Sequence, residues 1–168
     1  VLNIEPLAAW QRQDAHKAAN ANPAAFGIAR GALADLYLHC QHRSDPQIAD
    51  WLDELVESVR QCRRQAYTLA DITADPDDPG LVEGLLAERR VARARSLQLA
   101  QQATTAVIVA QSGRSMATGS AGERRASEAL FMHGQAQTTP AAHAYAGLAR
   151  ERNSTPPHSR SADLSGVR

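Results

Sequence analysis

The chain has 168 residues, 43% hydrophobic and 4% aromatic, with 18 basic and 18 acidic side chains in balance. That length fits one domain with a buried core, and the balance of charge excludes global steering toward nucleic acid or a membrane surface. Abundant alanine and few aromatics favour helices packed through small residues over a sheet.

A leading segment, 1–22, carries a weakly marked helix over 6–20. Valine at position 1 reads as a processed start or as part of a longer chain. The bundle proper is expected over 23–152. Asn22-Pro23, Asp45-Pro46, Asp78-Pro79 and Thr139-Pro140 each place a capping residue before a proline, which fixes φ where the first amides have no helical partner. Ser120-Ala-Gly-Glu123 has the spacing of a capping box. These signals predict helices over 23–42, 46–73, 79–112, 120–134 and 140–152, with "DPDDPG" (75–80) as a tight polar loop. The polar stretch 153–168 is expected to be a disordered tail.

The apolar spacing agrees with these divisions. Ala29, Leu33, Leu36 and Cys40 form one stripe, and Ile48, Leu52, Leu55, Val59, Cys62, Ala66 and Leu69 form the next. Leu81, Leu85, Ala92, Leu99, Ala103, Ala106 and Ala110 mark the third, whose end over 106–110 is apolar all round and is expected to be buried on every side. Long helices with short connections imply an all-α, up-and-down antiparallel bundle.

The two cysteines, Cys40 and Cys62, lie in different helices and are expected to be reduced and buried, as suits a cytoplasmic protein, with a bridge between them as the alternative. No apolar run is long enough to span a membrane. His39, Cys40 and His42 are close in sequence, but neighbouring helical positions diverge by about 100° and no second ligand cluster follows at zinc-like spacing. The arginines of "AERRVARARS" (87–96) read as a solvated face, with no nucleic-acid motif beside them. The Gly/Ser-rich connection "AQSGRSMATGS" (110–120) can bring backbone amides to a phosphate, or can cap a helix at Gly113.

"GIARGALADLYLHCQHR" (27–43) is similar to the first helix of the C-terminal helical domain of acyl-CoA dehydrogenases. "QSGRSM" resembles that family's paired-glycine loop, and "GERRASEALFMHGQAQT" (122–138) its following helix. "VARARSLQLAQQATTAVIVAQSG" fits the long helix before that loop in the style of divergent actinobacterial members. The resemblance runs from about Trp10 to Arg152. It implies the helical bundle of a flavoprotein that oxidises acyl-CoA thioesters, either a C-terminal domain or a small subunit beside a flavoprotein partner, or a homo-oligomer. Arg43 would contact the pyrophosphate of FAD, Ser112-Gly113 would match the glycine pair, and Thr138 would lie in the segment that closes over the flavin.

The departures matter as much. Ser44-Asp45-Pro46 replaces the usual Phe-Gly, Ser127 replaces an arginine, and Ala136 stands where the catalytic glutamate is expected. Asp14 is the nearest acid to the other position the family uses, displaced by about a turn. The catalytic residue is therefore unassigned, and the chain is expected to be inactive alone, since a positioned base contributes about 10²–10⁴-fold to such a step. The other reading is a non-enzymatic bundle that dimerises or binds a small apolar ligand.

Overall fold

The computed structural model describes residues 6–74, 79–135 and 138–154, and all their regular structure is helical. Seven α-helices follow in order: α1 (Leu7–Ala19), α2 (Pro23–His42), α3 (Pro46–Ala74), α4 (Pro79–Gly84), α5 (Leu86–Gln111), α6 (Ala121–Gly134) and α7 (Thr139–Ser154). A short 3-10 turn, Ser112–Met116, joins α5 to α6. The expected tail lies outside the described residues from 155 onward, as does most of the expected loop, 75–78. Among the described residues no helix is long and apolar enough to cross a membrane.

The caps explain where the helices begin. Asn22 Oδ1 accepts from the Ala24 amide at 2.9 Å, and Asp45 Oδ1 accepts from Gln47 and Ile48 at 3.0 and 3.2 Å. Each side chain satisfies amides that the first turn leaves without a carbonyl. At α6, Ser120 Oγ accepts from the Glu123 amide at 3.1 Å, while the Glu123 carboxylate reaches back to Gly119 rather than to Ser120. The box thus closes one residue early, around Gly119, whose φ of 80° suits a residue without Cβ. At α7 the cap is Thr138, one residue before the expected Thr139.

Two further boundaries differ from the sequence reading. The helix expected over 79–112 breaks at Leu85, giving α4 and α5 with a turn between them. Gly84 stands at that break, where it weakens the helix. At the far end of α5 the left-handed position is Ser112, with φ 51°, and not Gly113. The Ser112 amide turns back to the Ile108 and Val109 carbonyls.

Side-chain pairings fix the directions. Phe26 meets Tyr67 edge-on at 6.0 Å, so α2 and α3 run antiparallel. Cys62 Sγ lies 3.7 Å from the Ala92 carbonyl, while Trp51 shares a pocket with Gln98 and Gln102, so α3 and α5 are also antiparallel. Arg125 pairs with Asp35, and Met132 packs with Ala25 and Leu97, which sets α6 antiparallel to both α2 and α5. Consecutive long helices therefore alternate up and down. Helix α5 lies at the centre, packed against α2, α3, α6 and α7.

Alanine makes that central position possible. Ala92, Ala94, Ala100, Ala103 and Ala106 on α5 are all buried, letting neighbouring backbones come close. The main core joins Ala92, Ala100, Ala103 and Ala106 to Leu36, Leu52, Leu55, Val59, Cys62 and Leu69, the last five from the predicted α3 stripe. Apolar area removed from water is the main stabilising quantity here, at about 25 cal/mol per Å². The all-round burial expected at the end of α5 fails at Val109, which is 53% exposed. Leu81, expected in the same stripe, lies on the detached α4 and is 47% exposed.

The arginines of "AERRVARARS" do not form a solvated face, because Arg89 and Arg93 are each only 5% exposed. Arg89 donates to Asn20 Oδ1 through Nε and one terminal nitrogen, and to the His16 carbonyl at 2.8 Å. Arg93 donates to the carbonyls of Asn20 and Gln135, both at 3.1 Å. Burial lowers the pKa of both guanidiniums. Carbonyl and amide oxygens at the ends of α1 and α6 receive them, as cations at helix C-termini do elsewhere. Two connections are thereby tied to the central helix.

Candidate functional site

The ends of α2 and α5 lie side by side because those helices run parallel, and a cleft of about 790 Å³ opens between them. Its walls include His39, His42 and Arg43 from the end of α2, Gln111 from the end of α5, and Ser112, Gly113 and Arg114 just beyond it. Three of the four residues named from sequence are thus brought together. Arg43 is exposed at the C-cap of α2, its amide held by the His39 carbonyl at 3.0 Å. Arg114, which the sequence reading did not single out, adds a second guanidinium to the cleft.

Thr138 is not part of this group. It caps α7 beside Gln135, whose carbonyl receives Arg93 near the start of α5. Nineteen residues of helix separate Arg93 from Ser112, about 28 Å at 1.5 Å per residue. Thr138 and the cleft therefore stand at opposite ends of the bundle. Ala136 lies outside the described residues, and Asp14 is exposed on α1.

The cleft is cationic for a local reason. Two helix C-termini converge on it, and the guanidiniums of Arg43 and Arg114 offset the partial negative charge of those ends. Asp35 also lines the cleft, but its carboxylate takes Arg125 Nε at 3.3 Å, and Arg125 in turn reaches Glu128 at 3.3 Å. Gly31 makes room for this pair: a Cβ there would stand 2.6 Å from the Arg125 guanidinium carbon. With Asp35 committed to Arg125, the guanidinium of Arg43 faces the cleft with no ion pair among the described residues.

No family model, curated protein or solved structure matches this chain.

The side chains present suit a doubly charged phosphate group, since guanidinium presents paired donors to phosphate oxygens. The backbone contributes less than the sequence suggested. The Ser112 amide is spent inside α5, and the Ser112 carbonyl accepts from Ser115 Oγ at 2.6 Å. Gly113 has neither a positive φ nor a neighbour within 4 Å of a Cβ built on it, so the fold itself does not require glycine there. A positive φ on serine costs on the order of 1–3 kcal/mol, and such strain tends to gather at functional sites.

Cys40 and Cys62 are both free thiols, Cys62 buried and Cys40 half-buried. Burial raises the Cys62 pKa to about 11, against a smaller opposite effect from Arg95, which makes it a packing residue rather than a nucleophile. Among the described residues no three His, Cys, Asp or Glu side chains gather as a metal group.

Proposed function

We propose that this chain is the helical bundle of an acyl-CoA dehydrogenase-like flavoprotein, as a C-terminal domain or small subunit, and that its α2–α5 cleft holds the pyrophosphate of FAD. The observation that carries this reading is the meeting of Arg43 with Ser112-Gly113, some 70 residues apart in sequence, in one cationic cleft. Arg43 and Arg114 would bind the phosphate oxygens, and His39 and His42 would add donors at the rim. FAD would supply the capacity to accept hydride. Thr138, at the other end of the bundle, would serve a different part of the assembly.

The same reading makes the chain inactive by itself. Asp35 is held by Arg125, and alanine occupies the position of the expected base, so among the described residues the cleft offers no free carboxylate to take a proton from a thioester. Exposed apolar side chains support a role in oligomer contacts. Leu130 and Phe131 on α6 are 63% and 64% exposed, and Leu38 at the cleft is 56% exposed.

The test is flavin binding and mass in solution. Titration of FAD with the purified chain, alone and beside a full-length acyl-CoA dehydrogenase, should change the flavin fluorescence, and Arg43→Ala should weaken binding about tenfold, the scale of one lost charge-assisted contact. A monodisperse monomer that never takes up FAD under either condition would end the proposal.

A further inference from the structure

A second groove, of about 620 Å³, runs between α2 and α3. Phe26, Leu33, Leu52 and Val59 form its floor, all buried in the main core, and half-buried Val56 stands above them. The antiparallel pairing puts Tyr67 at one end beside Phe26 and Tyr37 toward the other, 38% and 54% exposed. Phe26 to Tyr37 is eleven residues, about 16 Å of helix.

The rim is strongly biased in charge. Arg30 reaches it from α2, Arg60 and Arg63 from α3, and Asp53 is the one carboxylate among the lining residues. The Arg63 guanidinium stands 5.1 Å from the centre of the Tyr67 ring, held over that end of the groove. None of the three arginines makes an ion pair among the described residues, whereas neighbouring Arg64 takes Glu57 at 3.1 Å. An apolar floor under unneutralised cations selects an occupant with an apolar body and negative charge. A second copy of the chain fits badly, because a symmetric contact would oppose the same arginines, and like charges brought together across an interface are costly. The volume falls within the range of small-ligand sites.

We infer that the α2–α3 groove binds a small amphiphile with an anionic head, its apolar body lying on Phe26, Val56 and Val59 and its head among Arg30, Arg60 and Arg63. This does not rest on the flavin reading, and the chain can fail to bind FAD and still bind such a ligand.

The experiment is an NMR titration of the intact chain with decanoate, decyl phosphate and 1-decanol, each below its aggregation limit. Both anions should give saturable shifts at the amides of Phe26, Val56 and Tyr67, and the tighter of the two identifies the preferred head. Decanol should bind about tenfold more weakly, and Arg60→Gln with Arg63→Gln should weaken the anions about tenfold, a loss of charge-assisted contacts. Both arginines are exposed, so the double variant should keep the thermal midpoint of the parent. The inference is overturned by absent or unsaturable binding, by equal affinity for decanol, or by unchanged affinity in the double variant. It is also overturned if a glutamate-rich amphipathic helix occupies the groove more tightly than either anion, which would assign the face to a protein partner.

Discussion

Replacing Arg89 by alanine tests the claim that a buried guanidinium, and not an apolar stripe, fastens the first helix to the bundle. Arg89 is 5% exposed and makes three hydrogen bonds of 2.8 to 3.0 Å, two to Asn20 Oδ1 and one to the His16 carbonyl. Hydrogen bonds from a charged donor contribute about 1.5–3 kcal/mol each, and desolvating the guanidinium takes back part of that sum. Truncation also leaves Asn20 Oδ1 and the His16 carbonyl without their donor, although water entering the vacated space relieves them in part. A net loss of about 3 kcal/mol follows, at the level of a buried network. Urea denaturation should show the loss, and hydrogen exchange should place it first at the amides of α1, which packs chiefly on α5. Arg64→Ala is the control. Its pair with Glu57 is 3.1 Å long, but both side chains are more than 60% exposed, so the change should cost below about 0.5 kcal/mol. If Arg89→Ala falls within 0.5 kcal/mol of the parent, or if α1 exchanges no faster, the argument from burial is wrong.

Leu36→Ala should cost about 2–5 kcal/mol in urea denaturation, because Leu36 has no exposed surface and sits between α2 and the central helix. His133 adds a pH dependence: burial depresses its pKa below the ordinary 6.5, with a hydrogen bond to the Leu97 backbone opposing, and its Nε2 is buried without a partner. A depressed histidine binds its proton more weakly folded than unfolded, so stability is full above pH 6.5 and declines as pH falls below it; His133→Phe should flatten that slope in denaturation series from pH 7.5 to 5. Cys62 acts in the opposite sense, its raised pKa giving stability that is present below the ordinary value of 9.0 and lost as pH rises toward about 11. In the native protein at pH 8, Ellman's reagent should therefore leave Cys62 unmodified until denaturant is added, and rapid labelling of a Cys40→Ser variant would refute this.

The local signals determined most of the helix starts without help from tertiary contacts. Asn22, Asp45 and Ser120 satisfy the amides of the turns they precede, and such bonds lie within three residues of sequence. The α3 stripe was equally legible, since one face of that helix is buried and the other wet, and every expected residue from Leu52 to Leu69 is buried. Helix α5 carries no such one-sided signal. Buried on opposing sides, it has no single stripe, and Arg89, Arg93, Gln98 and Thr104 are buried along with its alanines. Periodicity records a one-sided boundary with water, and a central helix packed on several sides has none. The carbonyls that accept Arg89 and Arg93 come from residues about 40 to 70 positions away, and no local pattern announces them.

The candidate sites divide along the same line. Sequence resemblance named Arg43, Ser112, Gly113 and Thr138 as a set, but only chain direction could decide which of them meet. Parallel α2 and α5 bring their two ends, with Arg43, Ser112 and Gly113, to one cleft, while the α6–α7 connection carries Thr138 to the other end. Arg30, Arg60 and Arg63 come from two helices and form one rim only because α2 and α3 pack antiparallel. By itself the sequence determined helices, caps and one-sided faces, because those depend on neighbours a turn away. Tertiary structure alone decided the buried cations and both grooves, because they depend on which distant backbones come to lie side by side.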